Sequence, residues 1–217
     1  MFSFYGSKKT LSALYDAPKF DTLIEPFAGS AGYALSGDNW QRDVFLYDCN
    51  PKVVTVWRYL LAASPKDIRS LPNIRYGQRL TNFDLSDGER FLIGYHVNPA
   101  SARPKIQATK RTCWNERKFW IAENLHKIKH WQVFQQSYED VPNQKATWFV
   151  DPPYQFAGKW YNGFQNMDFK KLAAWCRSRQ GQTIVCENKG ANWLPFRFLT
   201  RHQGMVQTNT EVVWTSR

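Results

Sequence analysis

The chain has 217 residues, of which 43% are hydrophobic, and a formal net charge of +11 at pH 7. This length accommodates one α/β domain with a small insertion, and the hydrophobic fraction is ample for a core that folds independently. No run of 18 apolar residues occurs, and the first residues lack the charged-then-apolar order of a secretory signal. We therefore expect no membrane span and a cytoplasmic location.

Metal-ligating patterns are weak in this sequence. The four cysteines are widely spaced and form no Cys-x-x-Cys pair, and the i, i+4 pair His126 and His130 has no carboxylate or cysteine beside it in the pattern of a metal motif. We therefore predict four free thiols and no metal site.

The first predicted strand, residues 22–27, leads into the glycine turn Ala28-Gly29-Ser30-Ala31-Gly32 and then into a helix opening at residues 33–35. Glycines let the backbone approach a ligand closely, and a helix amino terminus favours negative charge. A second strand, residues 44–48, ends in Asp48, close to where a Rossmann-like unit places the acid that binds ribose hydroxyls. Together they predict an adenosine-containing cofactor; an ordinary turn with a helix cap at Asp48 is the alternative.

Most of the net positive charge lies in residues 52–131. This segment contains 15 Lys and Arg against 6 Asp and Glu, whereas the rest of the chain contains 14 against 12. A basic segment suits a lobe that clamps DNA, because neutralising phosphates supplies most nonspecific affinity. A solvated basic face is the competing explanation. Within this segment, Asn115 is predicted to cap a helix over residues 116–128 whose apolar stripe packs into the core.

The polar, proline-broken stretch at residues 98–111 predicts a loop or hairpin that can enter a DNA groove, although a plain surface loop is the alternative for each residue. Cations there can bind phosphates and amides can pair with adenine edges. The candidate DNA contacts are Arg103, Lys105, Lys110 and Arg111 for phosphates, and Asn98 and Gln107 for bases.

A third apolar strand, residues 147–150, is followed by Asp151-Pro152-Pro153-Tyr154. The prolines fix φ and carry no N–H, so the chain leaves the sheet abruptly, with its carbonyls unpaired and the aspartate at the strand's carboxyl end. An exocyclic amine could donate both protons there, and Tyr154 offers a flat face on which an extruded base can stack. A simple turn is the alternative.

The residues after Tyr154 mix aromatics with glycines, and Lys159, Trp160 and Tyr161 are candidates for a lid over an extruded base. Asp168 is predicted to cap the next helix. A buried strand at residues 183–186 and a closing β hairpin from residues 196–199 and 205–215 complete the chain.

Four motifs occur in an order that resembles the Dam-type (D12 class) DNA adenine N6-methyltransferases: Phe4-Tyr5-Gly6-Ser7-Lys8, the glycine loop from Glu25, Asp48-Cys49-Asn50, and Asp151-Pro152-Pro153-Tyr154. The resemblance covers residues 2 to about 215. It implies a Rossmann-like α/β methyltransferase sheet, formed by residues 1–51 and 132–217, with a mainly helical target-recognition lobe at residues 52–131. It also implies an orphan bacterial or phage enzyme acting in the host cytoplasm as a monomer or weak dimer without an obligatory protein partner.

The resemblance further implies S-adenosylmethionine as cofactor and double-stranded DNA as partner. The catalytic residues would be Asp151, Pro152, Pro153 and Tyr154, with Lys159 and Trp160 added to the DNA contacts. The implied cofactor-binding residues are Tyr5, Gly6, Ser7, Lys8, Glu25, Pro26, Phe27, Ala28, Gly29, Ser30, Ala31, Gly32, Asp48, Cys49, Ser137, Tyr138 and Asp151.

One position departs from the family pattern. The family usually has an acid followed by an aromatic residue where this chain has Ser137-Tyr138, and that acid contacts the amino group of the cofactor's adenine. Ser137 could accept the hydrogen bond, or Asp140 could substitute. An N4-cytosine methyltransferase, an RNA or protein-amide methyltransferase, and a catalytically silent DNA-binding homologue remain the alternatives to adenine methylation.

Overall fold

The computed structural model describes residues 1–158, 165, 167–203 and 208–216. The strands of this part of the chain are β1 (Thr22–Glu25), β2 (Asp43–Asp48), β3 (Gln132–Gln135), β4 (Ala146–Val150), β5 (Gly181–Asn188), β6 (Arg197–Gln203) and β7 (Thr208–Thr215). Its α-helices are α1 (Pro51–Ala62), α2 (Pro65–Ser70), α3 (Asp87–Val97), α4 (Trp114–Asn124) and α5 (Phe169–Arg177).

The described strands form one sheet in the order β3-β2-β1-β4-β5-β7-β6. The first five strands of this order are parallel, whereas β7 runs antiparallel to both β5 and β6. The strand order reverses between β1 and β4, and the crevice outside the carboxyl ends of such strands is where ligands bind in open α/β sheets. The predicted α/β, Rossmann-like fold is therefore confirmed, including the closing antiparallel pair.

The helix predicted at residues 33–35 is wrong, because this segment forms a series of turns. The N–H of Leu35 reaches four residues back, to the Ala31 carbonyl, but that of Ser36 reaches only three back, to Tyr33, so the turn is not continued as a helix. The Glu25 carboxylate accepts the N–H of Ala34 at 2.7 Å and so satisfies a donor within this turn.

Side chains of β4 alternate between two apolar layers, one on each face of the sheet. Trp148 packs edge-on against Trp175 of α5, with ring centroids 5.6 Å apart. Phe149 stacks on Tyr33 on the opposite face, at 4.0 Å. Because successive strand residues point to opposite faces, Asp151 is directed to the same face as Phe149.

The segment between β2 and β3 is mainly helical, as predicted. Helix α1 begins at Pro51, is capped by Asn50 and packs against α3 and β3, so the predicted lobe boundary at residue 52 falls inside this helix. Most of the buried apolar residues of α1, α3 and α4 belong to one cluster that also includes residues of β1 and β2.

The cap predicted at Asn115 is wrong, because α4 begins one residue earlier and the Asn115 amide makes two hydrogen bonds with the backbone of Ile74. The predicted cap at Asp168 is confirmed: its carboxylate accepts the N–H groups of Lys170 and Lys171. All four cysteines are free thiols, as predicted. None of the helices in the described ranges has the length and apolar character that crossing a bilayer demands.

Candidate active site

A cleft of about 1020 Å³ opens at the carboxyl ends of β1, β2 and β4. Its volume is at the upper end of the range for small-molecule and cofactor sites. Nearly all the residues predicted for cofactor binding and catalysis line it: Tyr5, Gly6, Ser7, Lys8, Glu25, Pro26, Phe27, Ala28, Gly29, Ser30, Gly32, Asp48, Cys49, Ser137, Tyr138, Asp151, Pro152, Pro153 and Tyr154. Ala31 is the exception, because this residue of the loop is completely buried.

The glycine loop turns sharply at Gly29, whose φ of +46° is in the left-handed region. A Cβ atom there would lie 3.3 Å from the ring of Phe4. The carbonyl of Gly29 accepts a hydrogen bond from the Trp57 indole at 2.8 Å, which ties the loop to α1. The left-handed backbone and the close approach of the amino-terminal segment both favour glycine at this position, although Ala31 of the same loop also has a positive φ, of +50°.

Asp48, at the end of β2, connects the loop to the following helix. Its Oδ2 accepts the N–H of Gly29 at 2.9 Å and its Oδ1 accepts the N–H of Asn50 at 2.8 Å. Burial raises the pKa of Asp48 to about 6, although both hydrogen bonds favour the ionised form. Each oxygen keeps a second lone pair, so the carboxylate can still accept a hydrogen bond from a ligand hydroxyl.

Glu25, at the end of β1, is also a buried acid. Its carboxylate accepts the N–H of Ala34, and burial raises the pKa of Glu25 to about 8 despite that bond. The geometry therefore gives Glu25 a role in holding the loop as well as a place in the cleft wall.

The amino-terminal motif lies across the glycine loop. The hydroxyl of Ser30 donates to that of Ser7 at 2.9 Å, and the hydroxyl of Ser12 donates to the carbonyls of Lys8 and Gly32. These contacts hold the amino-terminal segment against the loop, so that the side chain of Lys8 lies at the carboxyl end of β4.

Lys8 pairs there with Asp151, the first residue of the predicted catalytic motif. Lys8 Nζ lies 2.9 Å from Asp151 Oδ1 and 3.8 Å from Glu211 Oε1. Burial opposes a charge on Lys8, but the two carboxylates outweigh it and raise the pKa of Lys8. Burial raises the pKa of Asp151 to about 6, while attraction to Lys8 acts in the opposite direction.

Tyr154 is held at two points beside this pair. Its hydroxyl donates to Glu211 Oε1 at 2.5 Å, and Lys8 Nζ lies 4.7 Å from its ring centroid, within the range of a cation–π interaction. Burial raises the pKa of Tyr154 well above its ordinary value, so the hydroxyl keeps the proton that it donates.

Glu211 was not identified from the sequence as a site residue. It lies in β7, is 3% exposed and lines the cleft. The available signal was an acid immediately before the apolar run Val212-Val213-Trp214, since a carboxylate in a buried strand needs partners. Asn188, His202 and Asn209 also line this end of the cleft and were not predicted.

An acid that was not predicted from the sequence lines the cleft close to Ser137. Glu139 lines the cleft with Ser137 and Tyr138, whereas Asp140, the substitute considered from the sequence, is not among the lining residues. The ring of Tyr138 stacks on Phe27 at 5.3 Å. Glu139 is also within 2.7 Å of Lys171 Nζ, an exposed pair that contributes little to stability.

The predicted DNA-binding loop begins beside the cleft. The N–H of Ala100 donates to Ser3 Oγ at 2.9 Å, and the N–H of Tyr5 donates to the carbonyl of Ser101. Asn98 is half-buried, and the other candidates in this loop are exposed: Arg103, Lys105, Gln107, Lys110 and Arg111. Lys159, Trp160 and Tyr161 lie outside the described residues.

Residues 106–108 pair with residues 77–80 as a short two-stranded ribbon, through the N–H groups of Gly77, Leu80 and Ala108. The ribbon places two further exposed cations, Arg75 and Arg79, and the exposed ring of Tyr76 on the same segment as the cations of the loop. Tyr76 is 65% exposed, with Lys110 Nζ 5.7 Å from its ring centroid. The sequence did not reveal this pairing, because the two segments are separated by α3.

Within the described ranges, no group of three or more His, Cys, Asp or Glu side chains is arranged to hold a metal ion. His126 and His130 instead contact the backbone carbonyls of Glu123 and Arg42, respectively.

No protein-family model and no curated protein matches the chain. Among solved structures, a candidate methyltransferase of Pseudomonas syringae has 13% identity and a TM-score of 0.41, over 96% of both chains. The candidate methyltransferase yhhF of Escherichia coli has 9% identity and a TM-score of 0.38, over 88% of this chain and 73% of that one. The candidate methylase HI0767 of Haemophilus influenzae has 13% identity and a TM-score of 0.37, over 88% and 78%. These similarities are too weak to establish a family or an activity.

Proposed function

We propose that the chain is an S-adenosylmethionine-dependent DNA adenine N6-methyltransferase. The observation that carries this proposal is the convergence of Asp151 and Tyr154 with the Gly29 loop and Asp48 in one cleft. An acceptor site for an exocyclic amine thus faces the loop suited to an adenosine-containing cofactor.

The chain's own residues fit that cofactor. The Gly29 loop would approach it closely, Asp48 would accept from its ribose, and the stacked pair of Phe27 and Tyr138 would pack against its adenine, beside the Glu139 carboxylate. Asp48, Glu139, Asp151 and Glu211 give this cleft several carboxylates, which suit a cationic ligand. The cofactor supplies a sulfonium methyl group that is open to direct displacement.

The acceptor residues have distinct roles. The Asp151 carboxylate and the Pro152 carbonyl would accept the two N–H bonds of adenine N6, which steers the nitrogen towards sp³ geometry and stabilises the positive charge that develops there. Tyr154 would stack on the ring and align it. Held by Asp151 and Pro152, the amine nitrogen would take up the methyl group that the cofactor supplies when bound. The methylated amine is acidic and would release its proton to solvent.

The DNA partner is supported by the cationic surface beside the cleft. The ribbon and its loop expose the side chains of Arg75, Arg79, Lys105 and Lys110, and Lys110 Nζ lies 5.7 Å from the centroid of the exposed Tyr76 ring. Cations would neutralise phosphates, and aromatic faces stack on bases. Residues 52–131, which contain this surface, would act as the target-recognition lobe of a monomeric or weakly dimeric cytoplasmic enzyme.

The test is transfer of labelled methyl from S-adenosylmethionine to unmethylated duplex DNA, followed by nucleoside digestion and mass spectrometry. We expect N6-methyldeoxyadenosine. The Asp151→Ala variant should lose turnover by at least about 100-fold and still bind DNA, because Asp151 contacts the amine rather than the backbone.

The other outcomes each correct the proposal. N4-methylcytosine would keep the mechanism and change the base. Methylation of RNA or of protein amides in a parallel assay would change the substrate. Tight DNA binding with neither methyl incorporation nor cofactor binding would identify a silent homologue.

A further inference from the structure

Glu211 is the buried carboxylate on which two side chains of the cleft, Lys8 and Tyr154, and the buried Tyr15 behind them converge. Its Oε1 accepts hydrogen bonds from the hydroxyls of Tyr15, at 2.7 Å, and Tyr154, at 2.5 Å. The same atom lies 3.8 Å from Lys8 Nζ. Burying a carboxylate is costly unless it is compensated by such partners, so this arrangement constrains all three.

The backbone of β7 holds Glu211 in place. Glu211 pairs with Asn188 of β5 in the antiparallel ladder and with Thr200 of β6 on the other side. A side chain anchored in a paired strand is a rigid reference point for Tyr154, which lies beyond the end of β4 in an irregular segment.

The Tyr154 hydroxyl has a single proton to donate. Asp151 is a second carboxylate within hydrogen-bonding reach of that hydroxyl, and a bond from Tyr154 would favour its ionised form. The structure directs the proton to Glu211 Oε1 at 2.5 Å instead, which leaves the accepting capacity of Asp151 for the target amine. Glu211 also attracts the Lys8 ammonium, which otherwise has Asp151 Oδ1 and the Gly6 carbonyl as its contacts.

We propose that Glu211 is a positioning residue, which fixes the ring of Tyr154 through its hydroxyl and directs the donors of Tyr154 and Lys8 so that Asp151 can accept the target amine. This role rests on the proposed function, because it concerns the same acceptor site. Glu211 itself does not contact the reacting atoms.

The test is a double-mutant cycle with Glu211→Gln and Tyr154→Phe, which removes the carboxylate charge and the hydroxyl in turn. We expect each single variant to lower kcat at least about 10-fold and to leave the KM for the cofactor within about 3-fold of the wild-type value. Such a result means that the geometry of the reacting groups has changed and cofactor binding has not. The double variant should be about as slow as the slower single variant, because the two residues act as a unit.

Tyr15→Phe is the matched control, because it removes a hydrogen bond to the same Oε1 atom without touching Tyr154. We expect its kcat to stay within about 3-fold of the wild type. Three results would overturn the proposal. In the double variant, the kcat losses of the two single variants could multiply; the kcat of Glu211→Gln could stay within roughly 2-fold of the wild type; or Tyr15→Phe could lose as much kcat as Glu211→Gln. If Glu211→Gln does not fold, Glu211→Asp takes its place, since it keeps the charge and shortens the reach.

A readout independent of turnover separates this inference from the proposed function. In NMR spectra of protein with ¹³C-labelled tyrosine rings, Glu211→Gln should shift the Tyr154 ring signals and speed its ring flips. Unchanged Tyr154 signals would refute the positioning role even in an active enzyme. Absence of methyl transfer by the wild type, with the NMR change present, would refute only the proposed function.

Discussion

The ammonium of Lys8 lies 2.9 Å from Oδ1 of Asp151, so the amino-terminal segment supplies a cation to the acceptor motif at the end of the central strand β4. Lys8 is 6% exposed, and its contacts with Asp151, Glu211 and the Gly6 carbonyl satisfy its ammonium. The pair therefore links the state of charge of Asp151 to a residue far away in the sequence.

The ionisation of Asp151 should set the acid limb of the pH profile. Burial raises its pKa from 3.8 to about 6, so the accepting carboxylate is lost as the pH falls through about 6. We expect kcat, measured at saturating cofactor from pH 5 to 8, to fall about 10-fold per unit below that point. Lys8→Gln should move the limb to higher pH, because Lys8 favours the ionised form. A flat kcat profile down to pH 5 would contradict this assignment.

Asp48 has a pKa raised to about 6 by burial as well, but it faces the cofactor end of the cleft. We expect its titration to appear in the cofactor KM rather than in kcat, which separates the two acids in the same experiment.

Glu139 should support cofactor binding in the place of the missing family acid. Glu139→Gln is expected to weaken cofactor binding about 10-fold, since a hydrogen bond to a charged group contributes about 1.5 to 3 kcal/mol. Asp140→Asn is the control, because Asp140 is not among the lining residues. Calorimetric titration with the cofactor checks both variants. Equal effects of the two substitutions would assign the change to net charge rather than to contact.

Gly29→Ala should destabilise the cofactor loop. Alanine pays about 1 to 2 kcal/mol in the left-handed region, and its Cβ would also press on the Phe4 ring. Gly37→Ala is matched, since Gly37 has a φ of +51° and open space around the added atom. We expect urea unfolding to show a loss in both variants, and cofactor affinity to fall only in Gly29→Ala. A loss of affinity in Gly37→Ala would show that backbone strain alone is responsible.

The cations of the ribbon should contribute to DNA affinity through phosphates. Arg79→Ala and Lys110→Ala are each expected to reduce the slope of log affinity against log salt concentration by about 1. Lys19→Ala and Lys145→Ala serve as controls, because these residues lie near the amino end of β4, opposite the cleft. Fluorescence anisotropy at several salt concentrations measures all four. A slope that changes equally in the controls would indicate diffuse attraction.

Local patterns predicted most of the strands and most of the residues that line the cleft. The apolar runs that lead to Glu25, Asp48 and Asp151 form strands whose carboxyl ends share one edge of the sheet. These strands are predictable because apolar runs, and the glycines and prolines that end them, are patterns of only a few residues. The helix predicted at residue 33 is wrong because the turn there is not continued, and the bond from Ala34 to the Glu25 carboxylate is a contact that no local helical pattern contains.

The order of the motifs along the chain, the strands that precede them and the acceptor tetrapeptide could be read from the sequence, because they depend on short-range periodicity and backbone stereochemistry. Three contacts could not: the hydrogen bond of Tyr154 to Glu211, the place of Glu139 rather than Asp140 in the cleft wall, and the pairing of Lys8 with Asp151. Those choices depend on which donors and acceptors converge when distant segments are buried together, and burial is what makes an unpaired charge too costly to tolerate.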